Sequence, residues 1–119
     1  MDEFSWFVGL YEGEGCLYSR KIKRTIEGKT YHNVEVALTI KMVDEDVIAR
    51  AARFLGVKYH TTDTAYSQKM GRKQLYRVRK NGGLNGTLRK LLDRMYPHLS
   101  KRRQEQIDTK LLEGQELLN

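Results

Sequence analysis

The stretch Trp6-Phe7-Val8-Gly9-Leu10-Tyr11-Glu12-Gly13-Glu14-Gly15 decides how this chain is read. Phe4, Phe7, Val8 and Tyr11 recur at spacings of three and four, which predicts a helix over residues 3–13 with Asp2 placed to cap it. Gly9 and Gly13 are four apart and share a face. Each glycine weakens a helix interior by about 1 kcal/mol, so the pair points to close approach by another helix backbone. Glu12 and Glu14 gather at the negative end of the helix dipole, a placement that costs about 0.3–1 kcal/mol per charge. Acids collected there make sense beside a divalent cation, because carboxylate, carbonyl and phosphate oxygens are what Mg2+ prefers.

Working outward, residues 16–24 and 31–42 read as strands joined by the turn Glu27-Gly28-Lys29. The second alternates cleanly. His32, Val34, Val36, Leu38, Ile40 and Met42 fall on one side, and Tyr31, Asn33, Glu35, Ala37, Thr39 and Lys41 on the other. One face is expected to be buried and the other free. In the first strand Leu17 is expected inward, with Tyr18, Arg20 and Arg24 outward. Asp44 can cap a helix running to Leu55, which Gly56 stops. Residues 57–67 and 74–80 read as a second strand pair around Met70-Gly71-Arg72-Lys73, with Tyr76 and Val78 alternating with Arg77 and Arg79. Leucines 84, 88, 91 and 92 mark a helix to Met95, which Tyr96-Pro97 breaks. Ser100 can cap a last helix reaching Leu112. The order αββαββα with antiparallel pairs is an α+β layout, one sheet face under helices and the other exposed. A two-stranded ribbon of such a face fits the DNA major groove.

Composition narrows the partners. The 119 residues carry 22 Lys and Arg against 15 Asp and Glu, a net charge of +7. With the mean hydropathy at −0.65, this describes a single globular domain spanning residues 1–119. Residues 69–103 hold twelve bases and one acid, Asp93, whereas residues 1–16 hold four acids and no base. So dense a basic block in a folded chain suggests a polyanionic partner. No run approaches the roughly 18 apolar residues of a membrane span, and the acidic N-terminus is unlike a signal peptide. A non-secreted, cytoplasmic setting is expected. The single Cys16 excludes an intramolecular disulfide and reads as a small packed thiol. His32, His60 and His98 share no ligand spacing.

Residues 7–15 resemble the nine-residue LAGLIDADG motif of homing endonucleases. They keep Gly9, Leu10, both acidic positions and the final Gly15, with Gly13 in place of alanine. The segment from Leu38 to Asp46, the helix ending Phe54-Leu55-Gly56, and Leu91 to Gln106 resemble the family's second strand, following helix and C-terminal helices. The resemblance implies the homing-endonuclease fold, its four-stranded sheet forming a saddle over double-stranded DNA. A single motif implies a homodimer packed through Phe7, Gly9, Leu10 and Gly13, acting on a palindromic or near-palindromic target. It implies Glu14 as the catalytic metal ligand, joined by the Gly13 carbonyl, with Mg2+ as cofactor and Mn2+ as a substitute. The reaction implied is metal-dependent hydrolysis of one phosphodiester in each strand.

The family also places a basic residue near the site. Lys80 is the first choice, Arg79 the second, and Lys41 a further candidate. DNA contacts are expected from the outward positions Tyr18, Arg20, Arg24, Asn33, Glu35, Thr39, Lys41, Arg77 and Arg79. Arg72 and Lys73 are expected on the phosphate backbone, as are Lys69 and the run Lys101-Arg102-Arg103. The host implied is a mobile genetic element in a bacterial, phage or organellar DNA compartment. The alternative on the same scaffold is a non-cleaving DNA- or RNA-binding protein, a maturase or regulator. Retention of both acids favours the enzyme, because a pure binder gains nothing from negative charge near phosphate.

Overall fold

The computed structural model describes residues 1–62, 69, 71 and 73–118. Its elements are α1 (Glu3–Glu14), β1 (Cys16–Ile26), β2 (Lys29–Met42), α2 (Glu45–Leu55), β3 (Tyr59–Thr62), β4 (Leu75–Gly82), α3 (Thr87–Met95), a 3-10 turn at Tyr96–His98, and α4 (Lys101–Leu117). The strands form one sheet in the order β1-β2-β4-β3. It is an antiparallel α+β architecture. The predicted strand residues 63–67 and the phosphate candidate Arg72 lie outside the described residues.

Local chemistry accounts for the boundaries. The Asp2 carboxylate accepts from the Ser5 N–H at 2.7 Å and starts α1. Glu27 and Gly28 have φ of 52° and 80°, the left-handed pair of a two-residue turn whose twist suits a hairpin. Gly56, at φ 70°, ends α2 in the left-handed conformation open to glycine. Asp44 stands at the start of α2 but makes no capping bond with its side chain, contrary to expectation. The helix after β4 begins at Thr87 rather than Leu84. Ser100 Oγ accepts from the Arg103 N–H at 3.2 Å, and α4 runs on to Leu117, past the predicted Leu112.

The chain divides into two compact units. One comprises Met1–Cys16 with Thr39–Lys80; the other comprises Leu17–Leu38 with Asn81–Asn119. In the first, Phe7, Tyr11, Ile40, Ile48, Ala51 and Val78 are fully buried. The Phe7 ring stacks on Phe54 with centroids 4.7 Å apart. Each such side chain contributes about 1.5–3 kcal/mol on burial, so this face of α1 is anchored to α2. In the second unit, Leu17, Val34, Val36, Leu38, Leu88, Leu92, Met95 and Ile107 make the core. A Cβ at Gly114 would sit 2.9 Å from Leu84 and 3.2 Å from Val34, so α4 needs glycine to lie this close. Arg103 is only 6% exposed, and its Nη1 donates to Gln106 Oε1 at 2.7 Å. Of the basic run expected on DNA phosphates, Arg103 is therefore a structural residue of this core, while Lys101 and Arg102 are exposed.

Candidate active site and nucleic-acid interface

The end of α1 is built around Gly15. Its N–H donates to the Tyr11 carbonyl at 2.9 Å. A Cβ there would run into the Tyr11 ring and lie 2.7 Å from that same carbonyl. Only glycine lets the chain leave the helix here and enter β1. The result is an exposed Glu14 as the last helical residue, with a half-buried Glu12 two residues earlier on the far side of the helix. Gly9 and Gly13 are exposed, and a Cβ at either would meet nothing within 4 Å among the described residues. Leu10 is half-buried beside them.

Phe7 departs from its expected place. It is 0% exposed and belongs to the core of its own unit, stacked on Phe54. Phe7 and Tyr11 are one turn apart on the α2 side, whereas Gly9 and Gly13 are turned away from them. The face available to another chain is the glycine face, without Phe7.

Arg50 fixes α1 from the α2 side. Its Nε donates to Glu3 Oε2 at 3.1 Å and its Nη2 to Glu3 Oε1 at 2.5 Å. Its guanidinium lies 4.1 Å over the Trp6 ring. The bonds from Arg50 hold the Glu3 carboxyl below its ordinary value. Sequence reading missed this clamp, because its partners lie 47 residues apart. It also missed a carboxylate shared by two phenols. Tyr59 donates to Glu45 Oε1 at 2.9 Å, and hydrogen bonding to Glu45 raises the pKa of both Tyr59 and Tyr76.

The basic candidates separate by face. β3 and β4 pair with Tyr59 opposite Val78 and His60 opposite Arg77. Val78 is fully buried, so Tyr76, Val78 and Lys80 share the helix side, and Arg77 and Arg79 the opposite side. Lys80 Nζ donates to the Leu55 carbonyl at 3.3 Å. The first-choice basic residue thus sits against the end of α2, satisfying a carbonyl the helix leaves open. On β2, Lys41 is exposed at the strand end, on the side opposite buried Ile40. Arg77 and Arg79 are half-buried, and the buried Arg77 Nε has no hydrogen-bond partner among the described residues.

Other expected contacts are placed as follows. Arg20, Arg24, Asn33 and Lys73 are exposed, and Tyr18 and Glu35 are half-buried. Thr39, expected outward and free, is only 7% exposed, and its neighbour on that face, Ala37, is 0% exposed. β2 has a strand on each side. Thr39 is therefore poorly placed for a DNA contact. Cys16, expected to be packed, is exposed.

Among the described residues no group of three or more His, Cys, Asp or Glu side chains could hold a metal ion. One chain offers an exposed carboxylate at Glu14 and the backbone oxygens of the helix end. Such hard oxygen donors fit Mg2+, which is commonly held by one or two carboxylates together with substrate phosphates. No described helix is long and apolar enough to cross a membrane.

These elements, in this order, form an α+β fold that is shared with solved homing endonucleases. The chain is similar to the archaeal intron-encoded homing endonuclease I-Vdi141I in its complex with DNA, at a TM-score of 0.52 and 13% identity, over 82% of this chain and 58% of that one. It is likewise similar to the homing endonuclease I-TnaI, at a TM-score of 0.52 and 18% identity, over 87% of this chain and 65% of that one. The chain thus spans about three-fifths of the length of these proteins. At such identities the likeness is one of fold. No protein-family model and no curated protein matches the chain.

Proposed function

We propose that this chain is one subunit of a site-specific, metal-dependent DNA endonuclease, and that two copies pack through the Gly9 and Gly13 face of α1. The observation that carries the reading is the end of α1, where an exposed Glu14 lies between the exposed Gly13 and the helix-ending Gly15. The motif there resembles LAGLIDADG, and the fold is shared with two homing endonucleases. Support for a second copy comes from the helix itself. Phe4, Phe7, Val8 and Tyr11 share the side turned to the chain's own core, while half-buried Trp6 and Leu10 carry apolar surface on the side of Gly9 and Gly13. A helix apolar on more than one side is one that is covered on more than one side.

In this reading each chain places Glu14 near the two-fold axis, so a pair of carboxylates faces the DNA backbone. Mg2+ bound at that position would supply Lewis-acid stabilisation of charge on the phosphate. Glu14 and the Gly13 carbonyl would hold the cation. Lys41 and Arg79, on the side of the strands opposite the core, are the basic residues best placed to offset phosphate charge. Arg20, Arg24, Asn33, Glu35 and Arg77 supply groove contacts, and Lys73 a phosphate contact. A palindromic or near-palindromic target follows from the two-fold axis.

The test is a cleavage selection on a duplex library of randomised sequence, run with Mg2+, with Mn2+ and with chelator, the DNA ends then being sequenced. Double-strand cuts at a recurrent sequence with either metal, and none with chelator, are expected. Selective binding with no cutting under any of these conditions would assign the chain instead to the non-cleaving class. Binding should also weaken steeply with added salt.

A further inference from the structure

The hairpin of β1 and β2 carries a preset pair. Counting back from the two-residue turn at Glu27-Gly28 sets Arg20 opposite Glu35. Arg20 Nη2 lies 3.3 Å from both Glu35 oxygens. The two side chains differ in exposure, 57% for Arg20 and 15% for Glu35. Arg20 is thus the more open of the two, and Glu35 lies largely within the strand surface beside it. By alternation from buried Leu17, Val34 and Val36, both residues point away from the core. On that outward side, within residues 17–38, Glu35 is the one acid beside Arg20, Arg24 and Lys29. It also walls a recess of 210 Å3 with Ile22, Arg24, Asn33 and Asn81.

An acid facing a polyanion is repelled by every phosphate, yet beside an arginine it completes a pattern that a base edge can match. A G·C pair presents two acceptors and then a donor in the major groove: guanine N7 and O6, then the cytosine amino group. Arg20 supplies donors and Glu35 an acceptor, side by side, in the complementary order. An A·T pair sets its adenine amino group among those donors and the thymine O4 toward the carboxylate, so like meets like. We propose that Arg20 and Glu35 together read one G·C pair in each half-site. Arg20 is the direct reader, and Glu35 both orients its fork and discriminates against A·T. This inference rests on the DNA-binding reading above and extends it to a specific base pair.

The experiment is a binding selection from randomised duplexes, without divalent metal so that no DNA is cut, using the wild-type chain, Glu35→Gln, Arg20→Lys and, as control, Lys73→Ala. The wild type should enrich G·C at one position of each half-site. Glu35→Gln and Arg20→Lys should each lose about tenfold or more of that preference, the size expected for one good bidentate contact, while other positions keep theirs. Lys73→Ala should weaken binding evenly across sequences. Unchanged base preferences in both pair variants would overturn the inference and leave a simple surface ion pair. A wild-type chain that enriches no sequence would overturn the DNA-binding reading, and this inference with it.

Discussion

Lys80 Nζ donates to the Leu55 carbonyl at 3.3 Å, which ties the end of β4 to the last residue of α2. A lysine at a helix C-terminus satisfies an open carbonyl and meets the negative end of the dipole. Lys80→Met should therefore lower stability by about 1 kcal/mol, measured by denaturant unfolding, and leave cleavage near wild type where the variant is folded. Lys41→Met should do the reverse, lowering cleavage with little change in stability.

Gly9 and Gly13 give a second prediction, with effects of opposite sign. A Cβ at either position meets nothing in the chain itself within 4 Å among the described residues. Alanine there should stabilise an isolated chain by about 1 kcal/mol through helix propensity. The same methyl groups would separate two α1 helices packed face to face. Sedimentation of Gly9→Ala and Gly13→Ala should show weaker self-association alongside a higher melting temperature. Unchanged association in both variants would move the dimer contact elsewhere.

The Glu3–Arg50 clamp sets an acid limit. Bonding to Arg50 holds the Glu3 carboxyl below its ordinary value of 4.5, and the capping bond from Ser5 does the same for Asp2. A carboxyl depressed in the folded state contributes stability that is present above its unfolded value and lost as pH falls through the folded one. Melting temperature should therefore drop as pH descends below 4.5. Glu3→Gln should remove the Arg50-linked part of that drop, leaving the part due to Asp2. Parallel melting curves for the two proteins through this window would show that the clamp does not form in solution.

Much of the fold is legible in the residues, for definite reasons. The alternation of Val34, Val36, Leu38 and Ile40 announces a strand with one buried side, and the residues at those positions are buried. Spacings of three and four around Phe7 and Tyr11 announce α1. What the pattern does not reveal is which apolar side of α1 packs within its own chain, and Phe7, which the resemblance sets at an interface, lies in the core. Alternation likewise says that Thr39 points outward but not that it is buried there. Lys80 and Arg79 are adjacent in sequence and on opposite faces in space, and the strand's register across them became visible only through Val78 and the bond to Leu55. Arg103 shares its sequence signature with Lys101 and Arg102, yet it is only 6% exposed. Local charge density does not distinguish a solvated arginine from a buried one that finds Gln106.

The most direct test of the account is the substitution Glu14→Gln. It keeps the size of the side chain and removes the charge that would hold a cation at the end of α1. On a target obtained from the cleavage selection, with Mg2+ present, the variant should bind DNA as the wild type does and cut neither strand. A Glu14→Gln protein that still cuts both strands would contradict the assignment of Glu14 as the carboxylate at the centre of the site.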